Sequence, residues 1–162
     1  MAIDTGADFN LVDATFNAIA RRDYATLTQH ERDLLLIWHA DGIIGNGGFR
    51  YFVEQRMPFQ DVIEALRRVG IPEAVEVVGA ALALFPSPLP VSDGDLAREL
   101  NALRVQLDEL GRRFWEIDNL IVEKLAAFVR THCMDGAVPV PTKDAVGDEK
   151  RGGKTGGGSS GG

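Results

Sequence analysis

Cysteine is nearly absent from this sequence. Cys133 is the single one in 162 residues, which excludes an internal disulfide and a cysteine-based zinc site. Histidine is scarce as well: only His30, His39 and His132 are present, with no HExxH or HxH spacing. No metal site with three or four convergent ligands is therefore expected. No long apolar run exists. The longest, residues 77–85, falls far short of the ~20 residues a membrane-spanning helix needs. Positive charge is in deficit, with 17 Lys and Arg against 24 Asp and Glu and a net charge of −7. That balance argues against direct binding of nucleic acid, which requires clustered Lys and Arg. The chain also lacks GxSxG, a P-loop and a dinucleotide-binding fingerprint. The first ten residues, MAIDTGADFN, carry neither a basic segment nor an apolar one. No signal peptide is expected, and the expected compartment is the cytoplasm.

What is there reads as helix. Leu11, Val12, Phe16 and Ile19 form a first amphipathic stripe. Thr28 and Glu31 have the spacing of a capping box. A helix through Leu34, Leu35, Ile37 and Trp38 follows, expected to end in a glycine-rich turn over residues 42–48. Further helices are expected at Phe49–Val53, at Val62–Val69 with Gly70 as C-cap, and from Pro72 to Phe85. Ser92 resembles the cap of the next helix. Leu96, Leu100, Leu103, Leu107, Leu110 and Phe114 keep a three- and four-residue spacing. That spacing predicts one long helix over residues 93–113 and a second over 119–132. There is no β alternation and no internal repeat. The expected fold class is all-α, a compact single-domain bundle of six or seven helices. Composition changes near Gly136, after which Gly and Ser come to dominate. Such a segment cannot bury enough apolar surface to offset chain entropy. The expected organisation is a flexible N-terminus at 1–7, a helical domain at 8–134 and a disordered Gly/Ser-rich tail at 135–162.

Few groups are candidates for chemistry. His30 reads as a surface residue and His39 as one near a helix end. Cys133 lies near a helix C-terminus, where the helix dipole disfavours a thiolate. No catalytic residue, metal or cofactor is expected. Two features remain. One is Asn46-Gly47-Gly48-Phe49-Arg50. Its glycines tolerate positive φ, and Asn46 is placed to cap a helix whose free N–H groups would face an anion beside Arg50. The other is acidic. Asp108, Glu109, Glu116, Asp118 and Glu123 lie on the last helices, where they would face a basic protein. Asp108 with Arg112, and Glu109 with Arg113, have ion-pair spacing. Charge density limits a mimic of DNA. A ~20-residue helix is ~30 Å long, and DNA of that length carries roughly 18 phosphate charges. Residues 93–112 hold five acids against three arginines. Acids from several helices, or from a dimer, would have to share one face.

Three segments together resemble a known family. They are Asn46-Gly47-Gly48-Phe49 with Tyr51 and Phe52; residues 65–74, continuing through Ala80-Ala81 to Phe85; and Leu107-Asp108-Glu109-Leu110 with Phe114-Trp115, then residues 125–130. In this order, over roughly residues 30–132, they resemble the small bacterial family that includes the DMP-type DNA-mimic proteins. The resemblance implies an all-helical fold, no known catalysis, and an acidic, often dimeric surface that occupies the DNA-binding face of a transcription regulator. This chain has Tyr51 where the family pattern has Gln, and its many arginines dilute the acidic field. The leading expectation is thus a non-enzymatic acidic domain whose partner is a basic, DNA-binding protein. The alternative is a small-molecule or anion-binding domain, which could be an enzyme, built on the Asn46-Gly47-Gly48 segment with Arg50 and His39. A third reading is structural: the Leu96–Leu110 stripe would form the seam of a homodimer instead of an internal core.

Overall fold

The computed structural model describes residues 5–133; the expected tail at 135–162 lies outside them. Seven α-helices and one short 3-10 helix make up the described chain, with no strand among these residues. The helices are α1 (Thr5–Ile19), α2 (Gln29–Glu54), α3 (Phe59–Val69), α4 (Pro72–Ala83), α5 (Asp93–Ala102), α6 (Arg104–Glu116) and α7 (Asp118–His132). The first begins at Thr5, three residues before the domain start read from the sequence. It packs on α7, and Asp8, itself buried, accepts a hydrogen bond from Arg130 across that contact. α2 is the spine. It contacts α3 and α6, while α4 packs on both of those.

The local signals behave as their chemistry dictates. The Thr28 hydroxyl accepts from the Glu31 backbone N–H, and the Glu31 carboxylate accepts from the Thr28 N–H at 2.8 Å, completing the capping box. Gly70 closes α3 in the left-handed region at φ 83°. Pro72 opens α4, and Ser92 caps α5 by accepting from the Asp95 N–H.

Two expectations are corrected. The glycine-rich segment 42–48 is not a turn; α2 runs through it and is kinked at Gly48. Glycine weakens a helix by about 1 kcal/mol per residue relative to alanine. Ile37, Trp38, Ala40, Ile44, Phe49, Phe52 and Val53 are nevertheless all buried along α2, and that burial outweighs the local preference. Asn46 accordingly caps nothing. It lies inside the helix and its side-chain amide donates to the Gly42 carbonyl at 2.7 Å. The second correction is a break at Leu103 (φ −96°, ψ 5°), which divides the expected long helix into α5 and α6. The leucine stripe continues across the break, so spacing could not reveal it. Leu96, Leu100, Leu107 and Leu110 are buried within their own chain, so the stripe is core and not a dimer seam.

Gly48 carries a testable consequence. Its φ of 67° and ψ of −171° fall in a region essentially reserved for glycine. A Cβ there would meet nothing within 4 Å, so only backbone strain opposes a side chain. Gly48→Ala is expected to destabilise by about 1–3 kcal/mol. Gly42→Ala, at a helical position that is also open, is expected to stabilise by up to about 1 kcal/mol. Urea denaturation of the two variants measures both, and effects of the same sign would contradict the kink geometry.

Candidate protein-binding face

α6 has two faces. Leu107, Leu110, Gly111 and Phe114 turn inward, where Phe114 meets Phe49 edge-to-face at 5.9 Å between ring centroids. Helical spacing puts Val105, Asp108, Glu109, Arg112, Trp115 and Glu116 on the opposite side, and all six are exposed. Two of them are large apolar groups in water: Val105 is 72% exposed and Trp115 63%.

The ion pairs differ from those that spacing suggests. Arg112 does not bind Asp108. Its guanidinium donates to both Glu109 oxygens, at 2.6 and 3.2 Å, and also to Glu116. Arg113 does not reach Glu109; it donates to Glu76 on α4 at 2.8 Å. A single guanidinium can serve two carboxylates one turn either side of it, and tertiary packing brought Arg113 a closer acceptor. The Arg112 hydrogen bonds hold the Glu109 carboxyl below its ordinary pKa. Among the described residues Asp108, Asp118 and Glu123 form no ion pair. Glu123 is half-buried on α7 and lines neither of the hollows beside Trp115.

A fifth carboxylate, which no local pattern marks, joins this face from α2. Asp41 is half-buried, and its Oδ1 is shut away from solvent without a hydrogen-bond partner among the described residues. Burial, and secondarily the nearby charge of Asp118, push its carboxyl up to about 7. Asp41, Gly45, Phe114, Trp115 and Asp118 line a cleft of about 180 Å³. Trp115 also lines a shallower groove of about 380 Å³ between Gly47–Arg50 and α6. α6 lies beside α2 here, and a Cβ on Gly111 would stand 3.9 Å from the Gly48 Cα, an ordinary contact that does not require glycine. Tyr51 uses the space left by Gly47, where a Cβ would come within 2.4 Å of the Tyr51 Cβ. The sequence does hold one signal for Trp115. It follows Phe114 directly and so lies about 100° round the helix from it, a position that permits exposure without requiring it, since Gly111 directly after Leu110 is buried.

The anion-site expectation fares differently. Gly47, Gly48, Phe49 and Arg50 do border the shallow groove. Arg50, however, is engaged by Glu54 at 2.9 Å and Asn101 at 3.2 Å. His39 lies in the middle of α2, exposed, and not near a helix end. His30 is exposed as expected, stacked on His132 at 4.3 Å. Cys133 caps α7, and burial with the Glu31 charge pushes its thiol up to about 11. No group of three or more His, Cys, Asp or Glu side chains suited to a metal ion occurs among the described residues. No helix among them is long and apolar enough to cross a membrane.

A bundle of helices with carboxylates from α2, α6 and α7 around an exposed tryptophan defines an acidic helical domain. Its family follows from comparison: residues 25–132, about two thirds of the chain, match the family model described as DMP19-like protein. The chain belongs to that family. No curated protein and no solved structure matches it.

Proposed function

We propose that this chain is a non-enzymatic acidic domain of the cytoplasm that occupies the DNA-binding face of a transcription regulator, or of another nucleic-acid-binding protein, as a mimic of DNA. The observation that carries this reading is the gathering of Asp41, Asp108 and Asp118, from three helices, around Trp115, with Glu109 and Glu116 held beside them by Arg112. Membership of the DMP19-like family supports it. Magnitude explains why three helices are involved. Asp108 to Glu116 spans ~12 Å of helix, over which DNA presents roughly seven phosphates. α6 offers three acids and one arginine on that face, so it falls short without Asp41 and Asp118. A homodimer would enlarge the charged surface further, using a contact other than the leucine stripe.

The test is a partner capture from host lysate, eluted by a salt gradient, because exposed charges lose their attraction as salt screens them. The captured protein is expected to bind DNA, and its operator DNA is expected to displace this domain. Reversal of Asp108, Glu109, Glu116 and Asp118 to Lys is expected to weaken capture at least tenfold, with helicity retained by circular dichroism. Unchanged affinity in the folded quadruple variant would sink the proposal.

A further inference from the structure

We infer that the cleft between α2 and the α6–α7 junction receives the guanidinium of an arginine side chain from the partner, held by Asp41 and Asp118 against the ring of Trp115. This rests on the basic-partner reading above and adds the contact at its centre. Four observations converge on it. Asp41 lines the cleft, and its buried Oδ1 lacks a hydrogen-bond donor among the described residues, so its charged form is costly and a cation entering the cleft would offset that cost. Asp118 stands close enough to act on Asp41 electrostatically and has no ion pair among the described residues. Two neighbouring carboxylates without a cation form a site that attracts one. Trp115 offers an indole face that is largely in water, the best of the aromatic surfaces for a cation. The chain's own nearby arginines are committed elsewhere: Arg112 to Glu109 and Glu116, Arg113 to Glu76, and Arg50 to Glu54 and Asn101.

The cleft also selects the shape of its guest. At about 180 Å³ it has room for the head and last methylenes of one side chain and is too small for a helix or strand. A guanidinium is planar and presents donors in a fork, so it can lie flat on an indole while pointing N–H groups at two carboxylates. A lysine ammonium can do only one of these well. Burial of Asp41 beside Asp118 raises its carboxyl to about 7, as expected where a compensating cation is missing.

The experiment uses the full chain and an acetylated, amidated Gly-Arg-Gly-Arg-Gly-Arg peptide at low ionic strength. Indole N–H signals of the two tryptophans are followed by NMR. The Trp115 signal is expected to move on titration while that of Trp38, packed in the core, stays put. Asp41→Asn and Asp118→Asn are each expected to weaken binding about tenfold or more, the usual loss for a charge-assisted hydrogen bond. Glu73→Gln, exposed on α4 and outside both the cleft and the acidic face, is expected to change it less than about threefold. The lysine version of the peptide is expected to bind several-fold more weakly than the arginine version. Salt-sensitive binding that leaves Trp115 unmoved, or that Asp41→Asn does not alter, would overturn the cleft and leave the acidic-face proposal standing. Equal binding of the lysine peptide would overturn the guanidinium assignment. No binding at all would also overturn the cleft, while displacement of the captured partner by its operator DNA decides the broader reading independently.

Discussion

Asp41→Asn is expected to raise the melting temperature at pH 8 and to leave it nearly unchanged at pH 4. The cause is ionisation in a half-buried place. The Asp41 carboxyl sits at about 7 in the folded protein against an ordinary value of 3.8, chiefly through burial and secondarily through Asp118. Below pH 3.8 both states of the chain carry the proton, and the group has no effect on stability. Between 3.8 and about 7 the folded chain keeps a proton that the unfolded chain has released. Stability therefore falls as pH rises across that window, and the full penalty is present above about 7. A tenfold change in proton affinity corresponds to about 1.4 kcal/mol, so the penalty at pH 8 is on the order of 2–4 kcal/mol after some relaxation of the site. Asparagine keeps the shape and removes the charge. A gain of that size corresponds to roughly 6 °C or more for a domain of this length. Calorimetry at the two pH values separates the causes. An equal gain at both would assign the effect to packing, and no gain at pH 8 would show that Asp41 ionises without penalty. A stabilising substitution in the cleft that also weakens arginine binding is what a site held at the expense of stability should show.

Removing the guanidinium of Arg68 is expected to have a comparable effect of opposite sign. Asp33 on α2 is only 1% exposed. Arg68 on α3 donates to its two oxygens, from Nε at 2.9 Å and from Nη2 at 2.7 Å, and Gln29 adds a bond at 2.9 Å. Arg68→Met keeps the stem and strands a buried carboxylate with one amide donor. Breaking such a pair typically destabilises by about 3–5 kcal/mol. The Arg68 side chain is 44% exposed, so water will reach the vacated position. The expected loss in urea denaturation is therefore about 2–4 kcal/mol. Asp33→Leu in the Arg68→Met background is expected to restore most of it, because replacing both partners by apolar groups leaves no unpaired charge. Additive losses from the two substitutions would show that the pair is not coupled.

Both predictions concern acids that nothing in their sequence neighbourhood sets apart. Asp33 lies one turn from His30, and Asp41 lies beside the glycines. What distinguishes them is burial, which depends on the neighbouring helices. Asp33 meets Arg68 across 35 residues, and Asp41 meets Asp118 across the whole middle of the chain. Glu109 and Glu116 are legible in the sequence as part of an acidic face, but they share Arg112 and so project less charge than their number suggests. Asp108 and Asp118 keep theirs.

The sequence by itself determined whatever is settled within a turn or two of chain. The all-α class follows from the apolar spacing. The Thr28–Glu31 capping box, the Gly70 C-cap, the Pro72 start and the Ser92 cap follow from side-chain chemistry that acts over three or four residues. Only the tertiary structure decided whether residues 42–48 turn or continue, because glycine's local preference there was overruled by burial of Ile44, Phe49 and Phe52. It also decided where the leucine stripe breaks, which arginine serves which carboxylate, and that Asp41, Trp115 and Asp118 share one cleft. These outcomes depend on distances between residues far apart in the chain. Such distances arise from how whole helices pack, and no local pattern of residues encodes them.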